Sequence, residues 1–358
     1  MNFLKTLDSK KKEITQSPLC TTFISKNLFF NRRHSKIPYF HLVKKILGIG
    51  TALVDVICQV DDEVISKLEL SKGSMTLIEE SQIQKIRSNF NNPLMTSGGS
   101  VCNTVHELNH GSHEASFYGK INDDEYGNAF IQDLKKANIA FQGIVKKNEL
   151  PTGCCNILVS PDGERTMATH IGIGSQLNPE EINDEILNDI DHIYMESYLW
   201  DHDLTKKTLQ KFGDMAKDKN IETSLSLSDP FCVDRHRDEL KEFITRNVDL
   251  VFCNFDEAKM FSQCETMADV GLFFKAFGKK VVMTSGAEGA FYFFNDEVSH
   301  QSVEKVENVV DTTGAGDNFA AGFLDYYLSG KTIDEALKNG NTRAVEVIQQ
   351  LGPRIKRS

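Results

Sequence analysis

The stretch "VVDTTGAGDNFAAGF", residues 309–323, sets three small residues, Gly314, Ala315 and Gly316, directly before an acid, Asp317. An amphipathic segment follows, in which Ala320, Phe323, Leu324, Tyr327 and Leu328 recur at helical spacing until Gly330 stops the run. The Gly-Ala-Gly run therefore stands at a helix N-terminus, where backbone N–H groups lack intrahelical partners and the dipole adds partial positive charge. Such a turn suits a phosphate, or the charge that develops during phosphoryl transfer. Asp317 would be misplaced there if the turn only bound an anion, because like charges repel. It suits a base that takes a proton from a hydroxyl while the N–H groups hold the moving phosphoryl group. A simple helix cap is the plainer reading of the same acid.

Reading outward, Thr332 and Glu335 have capping-box spacing for the next helix, and a final helix through Ala344, Val345 and Ile348 ends near Gly352 and Pro353. Upstream, short apolar strands alternate with helical patterns. Strands are predicted at Ile46–Gly50, Ala115–Lys120, Ile193–Glu196, Thr223–Ser226, Leu250–Cys253, Val281–Thr284 and Ala290–Phe294. Helices such as Glu125–Ala137, Leu204–Lys219 and Ala268–Phe277 lie between them. This alternation implies an α/β fold, a mostly parallel sheet covered by helices on both faces. Two β-like stretches break the rhythm, roughly 56–78 and 152–170, and would pair as a small separate sheet.

Of the 358 residues, 40% are hydrophobic and 25% charged, an ordinary globular composition. No apolar run approaches the length of a membrane helix, so no membrane role is expected. The net charge of −11 argues against a nucleic-acid surface. Charge is uneven: residues 1–45 hold ten Lys or Arg and two acids, leaving 30 basic and 49 acidic residues beyond them. Residues 1–43 read as a basic, flexible extension, an organelle transit peptide being the other reading. Residues 44–358 form the folded part. The eight cysteines show no C-x-x-C pair and read as reduced thiols of a cytoplasmic protein.

The D-T-T-G-A-G-D string resembles the signature of the ribokinase (PfkB) family of carbohydrate and nucleoside kinases. Further landmarks follow in family order: "SGGSVCNT" (97–104), "NFDE" (254–257) and "TSGAEG" (284–289). Within that family the closest resemblance is to the adenosine kinase group, carried by "GTALVDVICQVDDEVISKLELSKGSMTL", "PTGCCNILVSPDGERTM" and "LSLSDPF". The resemblance implies a ribokinase-like three-layer α/β/α fold with a small β-sheet lid. It implies ATP and Mg²⁺, with γ-phosphoryl transfer to a primary hydroxyl of a nucleoside, or of a sugar in the alternative reading. It gives Asp317 as base, Gly314, Ala315 and Gly316 as anion hole, and Arg165 as the lid arginine near the phosphates. It places Asp55, Gly98, Gly99 and Asn103 at the ribose, and Asn254 and Glu257 at magnesium, largely through water. Thr284, Ser285, Gly286, Glu288 and Gly289 would meet the nucleotide, and Asp311 and Thr313 would hold a potassium ion. Two departures stand out. Thr51 replaces an Asn usual near the base, and Tyr198 and Leu199 replace the aromatic pair that flanks the purine. The family includes monomers and homodimers, and nothing in the sequence chooses between them.

Three competing readings are weaker. "HELNH" (106–110) matches the zinc-protease pattern H-E-x-x-H, but Val101, Val105 and Leu108 form the apolar stripe of that helix, which leaves the histidines on a solvated face. "GIGTALVD" (48–55) has Leu53 where a dinucleotide loop needs its third glycine. A non-catalytic nucleoside-binding protein on the same fold would have no need of Asp317.

Overall fold

The computed structural model describes residues 43–357, so the basic extension and Cys20 lie outside the described residues. Nine strands build the central sheet: β1 (Lys45–Ile49), β5 (Glu114–Tyr118), β7 (Ala140–Phe141), β11 (His192–Glu196), β12 (Glu222–Ser226), β13 (Leu250–Asn254), β14 (Lys280–Thr284), β15 (Ala290–Phe294) and β16 (Glu297–Gln301). Their order is β16-β15-β14-β13-β12-β11-β1-β5-β7. All pairs are parallel except the hairpin edge β14-β15-β16. A parallel sheet must be covered on both faces, and the strands alternate their apolar side chains between two cores. Ile46, Tyr194, Phe252 and Val282 enter one core. Leu47, Ile193, Val251 and Val281 enter the other.

The first core is closed by helices α3 (Ser100–Leu108), α4 (Glu125–Lys136), α9 (Ala315–Leu328) and α10 (Ile333–Ile348), which contribute Val101, Phe130, Phe319 and Leu337. The second is closed by α5 (Asp203–Lys219), α6 (Pro230–Asn247), α7 (Phe255–Ser262) and α8 (Met267–Phe277), through Phe212, Phe243, Phe261 and Phe274. The expected three-layer α/β/α architecture is therefore present. Thr332 accepts from the Glu335 N–H and Glu335 answers the Thr332 N–H, which completes the expected capping box at the start of α10.

A second sheet stands apart, in the order β3-β10-β9-β2-β4. It combines β2 (Leu53–Gln59), β3 (Met75–Leu77), β4 (Leu94–Gly98), β9 (Thr152–Val159) and β10 (Arg165–Gly172). Its make-up corrects the expected lid in two ways. Residues 56–78 are not continuous strand: α1 (Asp62–Lys67) interrupts them, with Asp62 and Glu63 in its first turn and Ile65 buried. The sheet also begins at Leu53 and gains β4, which the sequence reading did not assign. One face of this sheet, bearing Val54, Val56, Cys154, Leu158 and Ala168, packs into the first core with residues of α2 (Glu80–Arg87). A short parallel pair, β6 (Lys120–Asn122) with β8 (Ile144–Lys146), completes the strands. The cysteines among the described residues are free thiols.

Candidate active site

The site forms where the N-termini of two helices meet. Gly314 caps α9 at φ +76°, and Asp317 occupies the third helical position behind it. Asp317 does not spend its carboxylate on its own helix. Oδ1 accepts from Ser100 Oγ at 2.6 Å and Oδ2 from Asn103 Nδ2 at 3.0 Å, both on α3. The cap reading of Asp317 thus gives way to a carboxylate held between two helices. Burial raises its pKa to about 6, against the two hydrogen bonds that lower it. Asn103 is itself buried, and its Oδ1 has no protein partner. A buried acceptor left open beside a carboxylate is a place for a ligand hydroxyl.

A cavity of ≈190 Å³ opens at this junction, lined by Ser100, Asn254, Glu257, Thr284, the Gly314–Gly316 backbone and Asp317. It lies at the carboxyl ends of β12, β13 and β14, the edge where open α/β sheets bind ligands. Asn254 and Glu257 form a reciprocal cap on α7: Asn254 Oδ1 accepts from the Glu257 N–H at 2.8 Å, and Asn254 Nδ2 donates to Glu257 Oε1 at 2.6 Å. Burial raises Glu257 to about 7. Oxygen donors on one buried carboxylate fit a magnesium ion that keeps its waters and leans on substrate phosphates. No cluster of three or more His, Cys, Asp or Glu able to hold a metal directly occurs among the described residues. Of the "TSGAEG" residues, Thr284 lines the cavity, while Ser285, Gly286, Glu288 and Gly289 form the turn that leaves β14.

Asp55, on β2, is 8% exposed and lies over Gly98, where an added Cβ would stand 2.3 Å from its Oδ1. Only glycine leaves room for that carboxylate. Gly99, at φ +95°, then turns the chain into α3 against the Thr51 carbonyl. Burial raises Asp55 to about 6, opposed by the charges of Arg354 and Arg165.

Arg165 opens β10 and reaches across to Asp311, with Nη2 3.1 Å from Oδ2 and both side chains 8% exposed. Its three guanidinium nitrogens have no hydrogen-bond partner. A buried guanidinium in an ion pair but with no well-formed hydrogen bond, beside a helix N-terminus, is a place for an anion. This pairing also corrects the expected potassium site. Asp311 accepts from the Thr313 N–H at 3.0 Å and the Gly352 N–H at 2.8 Å, and Arg165 already neutralises it. Burial alone would raise Asp311, yet those hydrogen bonds and Arg165 hold it below its ordinary value. A monovalent cation would have to compete with the guanidinium for the same oxygen, so potassium does not fit this arrangement.

Two further expectations change. Leu199 is 2% exposed and belongs to the second core, so it does not face the site. Tyr198 is exposed, with its hydroxyl 3.4 Å from the Ser228 carbonyl. Near it stands a ring the sequence reading passed over. Phe231, in the first turn of α6, is 72% exposed, and its N–H is held by Asp229 at 2.7 Å. The loop between β12 and α6, whose Ser228 carbonyl meets the Tyr198 hydroxyl, holds Ser228 at φ +63°, a strained conformation for a non-glycine residue.

Of the "HELNH" histidines, His110 is exposed as expected, while His106 is corrected. His106 is buried and meets Ser97 Oγ at 3.2 Å, and Glu107 is paired with Arg343 and Arg357. The helix turns these groups into separate contacts, which removes the zinc-protease reading.

Glu196 also escaped notice, its signal being an acid at the end of a buried strand. It accepts from the Thr51 N–H at 2.8 Å and the Val101 N–H at 3.1 Å, tying β1 to the start of α3. Glu196→Ala would strand both buried N–H groups, at about 1–3 kcal/mol each. Urea unfolding at neutral pH checks this, and an unchanged midpoint would refute it.

The outer face of the second sheet carries the last feature. Directly paired residues share a face. Asp55 pairs with Thr96 and Cys155, and Ile57 with Leu94 and Ile157. Met167 pairs with Ile157 and Met75, and Arg165 with Val159. The face that carries the two charges, Asp55 and Arg165, also bears Gln59, Thr96 and Thr169, and between them it presents an apolar patch of Ile57, Leu94, Ile157 and Met167. Leu94, Met75 and Leu77 on it are more than half exposed.

A buried carboxylate beside an anion-attracting helix end, both lining one cavity of ≈190 Å³, suits a phosphotransferase with an alcohol group as acceptor. The comparisons agree. The model of the pfkB family of carbohydrate kinases matches residues 73–357, and the chain belongs to that family. Adenosine kinase 2 of Arabidopsis thaliana is 25% identical over 331 residues, 86% of this chain and 94% of that one. The crystal structure of adenosine kinase from Sinorhizobium meliloti is 34% identical with a TM-score of 0.79, over 87% of this chain and 96% of its own. That of a probable sugar kinase from Rhizobium etli CFN 42 is 32% identical with the same TM-score of 0.79, over 88% and 96%. The protein is therefore a nucleoside or sugar kinase.

Proposed function

We propose that the enzyme transfers the γ-phosphoryl group of ATP to the primary 5′-hydroxyl of a nucleoside, with adenosine, giving AMP, as the first expectation. The observation that carries the nucleoside over the free sugar is the apolar face of the second sheet beside Asp55. A free sugar presents hydroxyls on every side and gains nothing from Ile57, Ile157, Met167 and Leu94. A nucleoside places its ribose at Asp55 and its base on those side chains, burying apolar area at about 25 cal/mol per Å². Tyr198 and Phe231 offer exposed rings for the same base. This reading restores the second aromatic that Leu199 does not supply.

In this mechanism Asp55 and the Gly98–Gly99 turn hold the ribose, and the open Asn103 Oδ1 accepts from a ribose hydroxyl. Asp317 takes the proton of the 5′-hydroxyl as its oxygen bonds to the γ-phosphorus. The bond between that phosphorus and the β–γ bridging oxygen breaks, and ADP leaves with the bridging oxygen. The N–H groups at Gly314–Gly316 and the Arg165 guanidinium receive the developing charge. Magnesium, when bound, neutralises the phosphates, and Asn254 and Glu257 would hold its water shell. The second sheet keeps bulk water from the phosphoryl group.

An ATP-consumption panel of nucleosides and free sugars, with magnesium, tests the acceptor. Turnover of adenosine above that of every free sugar is expected. Turnover of sugars alone would overturn the nucleoside reading and leave the kinase in place.

A further inference from the structure

Beyond the last motif, residues 352–357 of the tail touch the Asp311 loop, the start of α9, and Ser97, Asp133 and Glu107. The Gly352 N–H donates to Asp311 Oδ2 at 2.8 Å, and the Pro353 carbonyl accepts from Asn318 Nδ2 at 2.8 Å. Pro353 also packs against Gly314, the cap of the anion-attracting helix. Arg357 is bonded to Glu107 of α3 through both Nη atoms, at 2.8 and 2.6 Å.

Between these anchors Arg354 turns toward the acceptor side. Its Nη1 donates to Asp133 Oδ2 at 2.8 Å, and its Nη2 donates to Ser97 Oγ at 2.8 Å and to the Ser97 carbonyl. That carbonyl belongs to the peptide joining Ser97 to Gly98, the glycine beneath the Asp55 carboxylate. Asp133 holds the same residue from its other end, accepting the Ser97 N–H at 3.0 Å and its Oγ–H at 2.7 Å. Ser97 is fully buried, so its peptide groups have no water to fall back on. His106 completes the cluster at Ser97 Oγ, and burial followed by the Arg354 charge holds its pKa well below the ordinary value. A neutral imidazole leaves Asp133 as the counter-charge in contact with the guanidinium.

We propose that Arg354 is a positioning residue for the acceptor: its planar fork fixes the Ser97–Gly98 peptide and thereby the seat of Asp55, so that the C-terminal tail sets acceptor affinity. The inference rests on the reading that Asp55 and Gly98 bind the acceptor. Arg354 does not line the cavity beside Asn254, Glu257 and Gly314–Gly316, so ATP binding is independent of it. A lysine would keep the charge but could not span Asp133 and the Ser97 carbonyl together.

The test uses the full chain with Arg354→Ala and Arg354→Lys. A hydrogen bond to a charged group lost from a buried site predicts a rise in acceptor KM of about tenfold or more in Arg354→Ala. KM for ATP and kcat should change by less than about threefold, the split expected when one substrate's seat alone is loosened. Arg354→Lys should fall between wild type and Ala. Hydrogen exchange supplies a readout that needs no substrate: amides of 94–99 should exchange faster in both variants while those of β11–β13 stay protected. An unchanged acceptor KM, or a fall in all kinetic constants together with exchange spread through the core, would overturn the proposal. If wild type phosphorylates no acceptor in the panel, the acceptor reading fails by itself. Exchange at 94–99 then decides for Arg354, faster supporting its positioning role and unchanged refuting it.

Discussion

Asp317→Asn is expected to lower turnover by about 10²–10⁴-fold while leaving substrate binding nearly intact. The asparagine is isosteric and can still accept from Ser100 Oγ, whose 2.6 Å bond fixes one end of the group. Its new NH₂ would face Asn103 Nδ2, and turning over the Asn103 amide presents Oδ1 to it and leaves Nδ2 to donate to the ribose hydroxyl, which can accept as well as donate. The fold therefore survives and only the proton acceptor is lost. Wild type should also show an acidic limb in its rate profile. Asp317 accepts a proton only when ionised, and burial has raised its pKa to about 6. Turnover should fall about tenfold per unit as pH drops below that value. The same variant separates an enzyme from a nucleoside-binding protein on this fold, because binding alone has no use for the base. Retained wild-type turnover in Asp317→Asn would sink the mechanism.

The parts of the site that the sequence made legible are those written in consecutive residues. Gly314 to Asp317 lie in one helical turn, so their placement follows from local backbone rules, and Asn254 with Glu257 form a cap readable from their spacing alone. Seven of the nine strands of the central sheet were legible for a related reason: they are largely buried on both faces and mostly apolar, whereas the two-residue β7 and the edge strand β16, exposed or half-buried along their lengths, were not assigned. What escaped depends on partners far along the chain. Leu199 and Tyr198 are neighbours, yet one enters the core and the other faces solvent, because a 3₁₀ turn over Ser197–Asp201 separates their directions. His106 was expected in water because a helical stripe shows only one buried face. Here α3 is buried nearly all round, since β4 and the tail cover its other side. Arg165 was placed at the phosphates, and nothing near it in sequence announces Asp311, 146 residues on. Arg354 lay beyond the last recognisable element, and only the tertiary fold brings it to Ser97.

The second large effect is expected at Gly314. Gly314→Ala should cut kcat by about 10²–10³-fold, the loss that follows when donors to a developing oxyanion are displaced. Gly314 has φ +76°, a conformation that costs a residue with a side chain about 1–2 kcal/mol. The heavier penalty is steric. An added Cβ would stand 2.6 Å from the Pro353 carbonyl oxygen and 2.8 Å from its Cα. Both are backbone atoms, and the tail is pinned on either side by the Gly352–Asp311 bond and the Arg354 fork. It cannot swing aside as a flexible side chain would, so the start of α9 must shift, carrying the N–H groups with it. Gly330 separates the two causes, having the same left-handed φ of +73° but no neighbouring atom within 4 Å. Gly330→Ala should lose the conformational cost alone, seen as a lower thermal midpoint with kcat unchanged. If Gly314→Ala matched Gly330→Ala in both measurements, the contact between the tail and the anion-attracting turn would have no catalytic consequence.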